Sequence, residues 1–411
     1  MSNRGPREFF AVRQVSEALS GFRPARRTKP EPVALDEALG RVAPEPIVAR
    51  HPLPGFARAT VDGYAVRAPD TYGASEGLPS YLDLAGEALM GRPPELEMRP
   101  GNAVAIATGA PLPIGADAVV MVEHTQAATT ELIEVLRPAA PGDGVVRADE
   151  DAVPGAELVS AGRPLRPQEI GMLAAAGVTE LSVHARPRVT IVSTGDELVP
   201  ASTARLEPGR VRDAVGPGLA ALTRQAGGAP AYGGIVPDDR DALTDTLARA
   251  LPQSDVLVVS AGSSVGARDE TAGAIAALGE PGIWCHGLLL KPGKPTLLAD
   301  AGGVPVIGLP GNPRSALVVF RLLGLPIVRR VGGCSHPPAE PTIRARLDRH
   351  LPSAGGRLDI VQVSVAGGVA TPLFGSSSLL SVMTRADGFV TVPEAATGLA
   401  GGSEVEVTLY G

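Results

Sequence analysis

The spacing of apolar and polar residues changes character several times along the chain. Residues 11–50 carry apolar positions at helical intervals, and a second short helical pattern spans 35–39 and ends at Gly40. Between residues 51 and 150, Pro and Gly interrupt short apolar stretches, which predicts a β-rich module. Residues 164–178 return to helical spacing. The strands predicted in the β-rich module are residues 81–84, 103–106, 118–122 and 132–135.

From residue 187 the pattern alternates between apolar strands and amphipathic helices. This alternation is typical of a βαβ series, in which helices cover a largely parallel sheet on both faces. The segment after residue 331 has the composition of a linker, and the remainder predicts a small β-barrel or sandwich. The predicted strands are residues 189–193, 232–236, 256–260, 304–309, 358–363, 389–392 and 405–409, and the predicted helices are residues 217–226, 240–251, 270–278 and 315–323.

Length and composition limit the class of protein. At 411 residues, with 44% hydrophobic and 20% charged residues, the chain has the composition of a globular protein of about two to four domains. Its net charge of −7 disfavours a nucleic-acid partner, which needs a basic surface. The sequence has no apolar run of membrane-spanning length, no signal-peptide core near its start, and only two cysteines. A soluble cytoplasmic protein with no membrane partner is therefore expected.

Turns of small residues follow three of the predicted strands. Ligands of open α/β sheets bind at the carboxyl ends of the strands, and such turns expose backbone N–H groups that favour an anion. Ordinary βα connections also need glycine, but three such turns at one sheet edge favour an anion site. The turn residues are Thr194, Gly195 and Asp196; Gly262, Ser263 and Gly266; and Pro310, Gly311, Asn312, Pro313 and Ser315.

Lysine is rare in this chain, and two of its three lysines are close together. Of the 37 Lys and Arg residues, only Lys29, Lys291 and Lys294 are lysine. Since the composition otherwise favours arginine, the pair at 291 and 294 predicts a requirement for compact ammonium groups at a phosphate or oxyanion site. The alternative is a solvated turn. Asn312, one of three asparagines, supports the anion site, with a capping or turn role as its alternative.

Acidic residues stand near the same turns. They are candidate oxygen ligands for a Mg²⁺ ion that bridges phosphates, although a lone carboxylate at a strand end is often an N-cap or a solvated side chain. The residues are Asp196, Glu197, Asp213, Asp269 and Glu270. Zinc is not expected, because the six histidines show no ligand spacing. Cys285 lies in an apolar stretch and is predicted to be a packing residue rather than a nucleophile.

Two further motifs lie in the β-rich module. Asp62-Gly63 stands at a turn before a strand, which a plain hairpin also explains, and Thr108-Gly109 presents a hydroxyl group directly after a strand. Neither motif identifies a site by itself.

Taken in order, six motifs resemble the molybdenum insertase family, the molybdopterin molybdotransferases of the MoeA and gephyrin E-domain type. The resemblance covers essentially the whole chain. The motifs are Asp62-Gly63-Tyr64-Ala65-Val66, Thr108-Gly109-Ala110-Pro111-Leu112-Pro113 with Gly115-Ala116-Asp117, Ser193-Thr194-Gly195-Asp196-Glu197-Leu198, Ser264-Val265-Gly266, Lys291-Pro292-Gly293-Lys294-Pro295 and Gly308-Leu309-Pro310-Gly311-Asn312-Pro313.

The resemblance implies a multidomain α/β fold. A three-layer, doubly wound α/β domain with a mainly parallel sheet is expected at 188–331, and a β-rich inserted module at 51–146. A discontinuous, elongated helical or mixed N-terminal domain is expected from 1–50 plus 147–187, and a small C-terminal β-barrel at 332–411.

The resemblance also implies a reaction and partners. Family members insert molybdate into adenylylated molybdopterin with the help of a divalent cation, expected to be Mg²⁺, and release AMP and molybdenum cofactor. The expected assembly is a homodimer with each site between the α/β domain of one subunit and the inserted module of the other. The molybdopterin adenylyltransferase is a further expected partner.

The family's functional positions are carried over residue by residue. The resemblance implies that Asp213 and Asp269 bind the metal, and that the three strand-end turns bind the pterin substrate. Asp151 in the N-terminal domain also matches a family position. The catalytic positions implied are Asp62, Thr108, Glu169, Asp213, Asp269, Lys291 and Lys294.

The chain departs from the family pattern at several places. Ala59-Thr60-Val61 replaces Ser-Ala-Met before Asp62, and residues 146–151 lack the glycine of the usual Arg-x-x-Gly-Glu-Asp. Ala214-Val215 replaces Ser/Thr-Asn, and 261–264 differ from Gly-Gly-Val-Ser. These departures leave open an alternative, a diverged non-catalytic carrier or scaffold on the same fold. A molybdopterin adenylyltransferase is a weaker third hypothesis, because that enzyme shares the α/β domain alone.

Overall fold

The computed structural model describes residues 12–93, 96–261 and 265–410, without side-chain detail at 265–269. Two compact units divide the chain. The larger unit contains Met1–Pro44, Ala161–Arg166 and Leu181–Gly411, and the smaller unit contains Glu45–Ser160 and Pro167–Glu180. The four-domain boundaries given above stay a prediction. No helix in the described ranges is long and apolar enough to cross a membrane.

Strands predominate in the first part of the chain. In chain order the elements are α1 (Val15–Gly21), β1 (Pro30–Ala34), a 3₁₀ turn (Leu35–Glu37), β2 (Ile47–Val48), β3 (Arg58–Ala59), β4 (Gly63–Val66), β5 (Ser80–Ala88), β6 (Asn102–Ile106), β7 (Ala118–Met121), β8 (Thr125–Ala127), β9 (Leu132–Val135), β10 (Val145–Val146), β11 (Glu157–Val159), α2 (Pro167–Ala175) and β12 (Glu180–His184).

Strands and helices alternate in the next part, and strands predominate again at the end. The elements are β13 (Arg188–Thr194), β14 (Leu198–Val199), β15 (Val211–Arg212), α3 (Val215–Gln225), β16 (Ala229–Val236), α4 (Arg240–Ala250), β17 (Val256–Ala261), α5 (Val265–Ala276), β18 (Pro281–His286), β19 (Leu290–Lys291), β20 (Leu297–Ala301), β21 (Val304–Pro310), α6 (Pro313–Val319), a π-helical turn (Phe320–Gly324), α7 (Leu325–Val331), β22 (Thr342–Leu347), β23 (Leu351–Pro352), β24 (Leu358–Ala366), β25 (Val369–Pro372), α8 (Ser381–Thr384), β26 (Gly388–Val392), β27 (Gly398–Leu399) and β28 (Glu404–Leu409).

The smaller unit is built around a mixed sheet in the order β7-β4-β6-β5-β9-β8. Successive residues of its strands point to opposite faces, so that Val119 and Val120 join different hydrophobic clusters. Both faces are therefore covered. The β-rich module predicted from the Pro and Gly punctuation is confirmed.

The larger unit contains the predicted doubly wound sheet, in the order β16-β13-β17-β21-β20-β18. The first four strands are parallel, and β20 runs antiparallel to both of its neighbours, β21 and β18. Ile191 and Val258 pack against α3 and the α6–α7 stretch, whereas Val192 and Val259 pack against α4 and α5. Helices on both faces confirm the three-layer architecture and explain the nearly continuous apolar strands.

The C-terminal strands form a barrel rather than a sandwich. Strands β24, β25, β22, β28 and β26 pair in sequence, and β26 pairs back to β24, which closes the ring within the described residues. The short strand β19, which precedes the barrel by more than 40 residues in the chain, pairs in parallel with β24. This pairing joins the α/β layer to the barrel.

Three sequence-based predictions need correction. Strands β18 and β20 were not predicted, because Pro281 and Gly282 obscure the first and Asp300 interrupts the short apolar run of the second. The helical pattern at 35–39 forms only a 3₁₀ turn, since so few residues cannot offset the cost of an α-helical nucleus. Helix α2 covers less than the predicted 164–178, and α5 begins before the predicted residue 270.

One continuous helical stretch runs from Pro313 to Val331 through the π-helical turn. Gly324 closes that turn, and a Cβ atom added there would lie 2.2 Å from Cδ2 of the fully buried Phe320. Only glycine fits this position without moving the aromatic ring.

We expect Gly324→Ala to destabilise the protein by about 1–3 kcal/mol, because the displaced Phe320 ring overpacks a filled core. Calorimetric unfolding measures the loss. The matched control is Gly171→Ala in α2, where nothing lies within 4 Å of an added Cβ, and where alanine is expected to add about 0.5–1 kcal/mol. A Gly324→Ala protein as stable as the Gly171→Ala protein would contradict this account.

Candidate active site

The carboxyl ends of three parallel strands lie side by side at one edge of the α/β sheet. Ser193 of β13 is in register with Ser260 of β17, and Ala261 of β17 is in register with Pro310 of β21. The turn at 194–198 and the turn at 310–312 therefore leave the sheet at the same edge. Gly262 and Ser263 lie outside the described residues.

The lysine loop, defined here as residues 287–296, reaches the same edge by a different route. Leu297 of β20 is in register with Gly308 near the carboxyl end of β21, and it is also paired with His286 at the end of β18. Strand β18 runs in the same direction as β21 and β20 runs against it, so the end of β18 and the start of β20 both lie beside the carboxyl end of β21. Their connection therefore emerges beside the strand-end turns. The topology thus brings Lys291 and Lys294 to the edge predicted for an anion.

Packing fixes the middle of the lysine loop. Gly293 has φ +125°, and an added Cβ atom would lie 2.4 Å from Cγ2 of Val319 in α6. The Thr296 hydroxyl donates to the Gly293 carbonyl at 2.6 Å. The two lysines stand on either side of this anchored glycine, and both are exposed. The backbone is held while the ammonium groups remain accessible.

Lys291 is paired with a buried carboxylate that the sequence did not identify. Its Nζ lies 3.8 Å from Oδ2 of Asp359, whose side chain is only 3% exposed. Arg357 donates to the same carboxylate, from Nε to Oδ1 at 2.8 Å. The pairing of β19 with β24 sets Lys291 opposite Asp359. A charged residue at the start of the otherwise apolar run 358–363 was the signal that could have revealed it.

Asn312 occupies the N-cap position of α6, and its side chain makes no capping hydrogen bond to the residues described. Asn312 therefore lies where a capping or turn residue is expected, but its side-chain amide does not cap the helix. Ser315, in the first turn of this helix, is buried, and the backbone N–H of Arg314 donates to the Ser377 carbonyl of the barrel at 3.1 Å.

Asp213 is buried and accepts four hydrogen bonds. The backbone N–H groups of Val215 and Gly216 donate to Oδ1 at 3.0 and 2.9 Å, which caps the start of α3. The hydroxyls of Ser193 and Tyr232 donate to Oδ2 at 2.7 and 2.9 Å. Burial, followed by the bond to Asp213, raises the pKa of Tyr232 to about 12, so the phenol stays a donor. This arrangement favours a structural role.

The change of Ser/Thr-Asn to Ala214-Val215 leaves this cap intact. The helix start uses only backbone N–H groups, and Val215 is buried in the core beside it. The departure therefore removes side chains without removing the bonds that position α3.

A group of carboxylates surrounds the turn after β13. The backbone N–H of Asp238 donates to Oδ1 of Asp196 at 3.2 Å, and the Arg210 guanidinium donates to the Asp196 carbonyl. Burial and then the charges of Glu197 and Asp196 raise the pKa of Asp238. Across the described residues, no group of three or more His, Cys, Asp or Glu is placed to hold a metal ion. Gly266 and Asp269 lie in α5, where side chains are not described.

In the smaller unit, Asp62 and Thr108 lie together. The backbone N–H and the hydroxyl of Thr108 both donate to Oδ1 of Asp62, at 2.7 and 2.8 Å. These two bonds, the backbone bond first, lower the pKa of Asp62. The two motifs, neither of which identifies a site by itself, thus form one exposed, hydrogen-bonded Asp–Thr pair. Ala59, one of the altered residues before Asp62, makes hydrogen bonds to the turn at Thr108 through its backbone N–H and carbonyl groups. These bonds do not depend on the side chain at position 59.

Asp151 lies elsewhere in this unit. With Arg58 and Glu150 it lines a cavity of about 530 Å³ whose lining includes neither Asp62 nor Thr108. Glu169 is half-buried in the first turn of α2. Asp149, which stands where the family pattern has glycine, has φ +70° and is the one non-glycine residue with positive φ in the described ranges. Asp149 therefore adopts a left-handed backbone conformation that favours glycine.

Both cysteines are buried, as predicted for Cys285. Burial raises the pKa of Cys285 to about 11 and also raises that of Cys334. Neither thiol is suited to be a nucleophile at neutral pH.

Comparison with known proteins gives one consistent result across the chain. Residues 11–177 match the MoeA N-terminal region (domain I and II), 190–330 match a probable molybdopterin binding domain, and 344–410 match the MoeA C-terminal region (domain IV).

Full-length relatives agree with these matches. Molybdopterin molybdenumtransferase 2 of Mycobacterium tuberculosis is 33% identical over 93% of this chain and 95% of its own length. The Bacillus subtilis molybdopterin molybdenumtransferase is 32% identical over 92% of this chain and 89% of its own. The crystal structure of the molybdopterin biosynthesis MoeA protein from Pyrococcus horikoshii superposes with a TM-score of 0.84 at 30% identity, covering 97% of this chain and 100% of that one. The chain therefore belongs to the MoeA family of molybdopterin molybdenumtransferases.

Proposed function

We propose that this chain is a molybdopterin molybdenumtransferase, which inserts molybdate into adenylylated molybdopterin and releases AMP in molybdenum cofactor biosynthesis. The observation that carries the proposal is the meeting of the lysine loop with the strand-end turns at one sheet edge of a MoeA-family chain. No observation favours the carrier alternative.

The substrates are anions, and the edge supplies charge for them. The phosphoanhydride and molybdate both present several negative oxygens, and exposed ammonium groups bind such oxygens as point charges. Lys291 and Lys294 supply two of these groups in a protein of net charge −7. Lys294, which has no ion pair among the described residues, is proposed to offset the charge that develops on the departing AMP.

Helices α3 and α6 both start near this edge, and they differ in how far their starts are open to a ligand. Asp213 fills the start of α3 with its own carboxylate. The start of α6 has no such carboxylate, and the amide of its N-cap residue Asn312 is not engaged in capping. Since the positive end of a helix favours an anion, the 310–315 turn is the proposed binding point for the substrate phosphates.

The proposed Mg²⁺ has no complete donor set in the described residues. Asp213 is not suited to bind the metal directly in this structure, because its two carboxylate oxygens already accept four hydrogen bonds. Asp269 stays the predicted ligand. The dithiolene of the pterin, rather than a protein thiol, is proposed to take the molybdenum.

Asp62 and Thr108 are proposed to complete the site from the partner subunit of a homodimer. This placement rests on the family resemblance, as do the adenylyltransferase partner and the cytoplasmic location. It gives the exposed Asp62–Thr108 pair a role that a plain hairpin does not require.

Incubation with adenylylated molybdopterin, molybdate and Mg²⁺ is expected to release AMP above the background without protein. Lys294→Ala is expected to lower kcat/KM by about 10- to 100-fold, because a charge-assisted contact to the reacting anion is lost. The control is Arg249→Ala on the exposed face of α4, which should change kcat/KM less than about twofold. No AMP release would leave only the carrier hypothesis, and equal effects of the two variants would contradict the role of Lys294.

Asp359 is expected to act through Lys291 as a positioning residue. Asp359→Asn removes the charge that holds the ammonium group, and should lower kcat/KM by about tenfold. The deciding measurement is a double-mutant cycle with Lys291→Ala. If Asp359 acts through Lys291, the double variant should be little worse than Lys291→Ala alone; additive losses would indicate a general structural effect.

The bonds from Thr108 should be visible in the titration of Asp62. Because they lower the pKa of Asp62, the carboxylate stays ionised and accepts both bonds until the pH falls below the ordinary range of an aspartate. Thr108→Val removes the hydroxyl bond and keeps the N–H bond, so the pKa of Asp62 should rise part of the way back. Carboxyl ¹³C NMR measures it, with Thr244→Val on α4 as the control. An unchanged Asp62 titration in Thr108→Val would refute the assignment.

A further inference from the structure

A second cationic region lies in the larger unit, away from the lysine loop. It is a cavity of about 580 Å³ between the segment after α1, the end of α7 and the linker before β22. Apolar side chains including Leu322 and Pro326 form part of its wall. We call it the arginine cavity, because its lining contains Arg23, Arg27, Arg321, Arg329 and Arg330.

The positive charge of this cavity is not balanced by the protein. Glu340 is the one acidic residue in the lining described, and it lies 3.5 Å from Arg321. Arg321 also donates to the Leu409 carbonyl at 2.9 Å and lies over the ring of Tyr410. Arg321 and Glu340 therefore neutralise each other, and four guanidinium groups remain.

Those four groups keep nitrogens available for a ligand. One guanidinium nitrogen of Arg330 donates a hydrogen bond to the Phe22 carbonyl at 2.8 Å. One guanidinium nitrogen of Arg27 donates to the carbonyls of Pro24 and Arg26. Arg23 and Arg329 make no ion pair with any described residue. Burial and then the charges of Arg23 and Arg27 lower the pKa of Arg330, as expected for like charges that lack a counterion.

A helix-capping role explains only part of the cluster. Arg329 and Arg330 lie in the last turn of α7, where cations interact favourably with the helix dipole. Arg23 and Arg27 come from a different segment of the chain, and the dipole gives no reason for them to converge on the same cavity.

The arginine cavity is separate from the proposed active edge. The helical stretch that starts beside Asn312 ends at Val331, and at a rise of about 1.5 Å per residue its two ends are about 27 Å apart. A ligand held by Arg329 and Arg330 therefore cannot also contact the start of α6.

We propose that the arginine cavity binds a small polyanion that carries at least two phosphate or carboxylate groups. Planar guanidinium groups pair with both kinds of group in a bidentate manner. The volume is that of a small-molecule site rather than a flat protein interface, and the apolar wall suits the carbon skeleton or ring of such a ligand.

Calorimetric titration of the full-length protein with tripolyphosphate and, separately, with citrate tests the proposal at about 0.15 M ionic strength. At least one probe is expected to bind, and the stronger probe identifies the phosphate or the carboxylate source. Arg23→Gln combined with Arg329→Gln should weaken binding at least about tenfold. Arg249→Gln on α4 is the matched control and should leave affinity within about twofold.

A second pair of variants separates this site from the active edge. Binding should persist in Lys291→Ala combined with Lys294→Ala, whether or not that protein releases AMP. Arg329→Lys, which keeps the charge and the fold but loses the planar fork, should weaken binding less than the double glutamine variant.

Three results would overturn the proposal. The first is no heat of binding from either probe up to about 1 mM ligand. The second is that the double glutamine variant, with an unchanged circular dichroism spectrum, binds the probe as tightly as the unsubstituted protein. The third is that binding is lost when only Lys291 and Lys294 are replaced.

Discussion

The antiparallel pairing of β20 with β21 determines where Lys291 and Lys294, the two lysines of the proposed site, lie in the fold. Without this pairing, the two lysines would lie in one long connection between the parallel strands β17 and β21. With Leu297 in register with Gly308, the connection must emerge at the carboxyl edge, where the strand-end turns already lie. Gly293 then packs on Val319 so closely that no side chain fits between them. The position of two charges thus follows from backbone hydrogen bonds and one steric contact.

The same edge shows how one helix start is closed and another left open. Asp213 satisfies the first N–H groups of α3 and ties them through Ser193 to β13 and through Tyr232 to β16. This closed end is rigid and already carries a negative charge, so it repels an anion. The start of α6 is held differently, through its backbone to the barrel. Its N-cap amide remains uncommitted, which is what binding of a phosphate requires.

The elements with strong periodicity could be predicted from the sequence. Strands β13, β17 and β21 are buried on both faces, and their apolar runs mark them unambiguously. Strands β18 and β20 could not be found in this way, because the first begins with Pro-Gly and the apolar run of the second is interrupted by Asp300. The lysines were identified by composition, since they are rare in an arginine-rich chain. Asp359 was missed, because its significance depends on a pairing between residues nearly 70 positions apart.

The departures from the family pattern are better explained by backbone geometry than by loss of function. Asp149, at the position of the glycine in the family pattern, adopts a left-handed conformation, which aspartate tolerates better than most residues. Beside Asp213, the N–H groups that its carboxylate accepts belong to the backbone of Val215 and Gly216 and do not depend on the side chains of Ala214-Val215. In both cases the local structure rests on the backbone, through a left-handed dihedral angle at Asp149 and through backbone N–H groups beside Asp213, so the changed side chains are compatible with it.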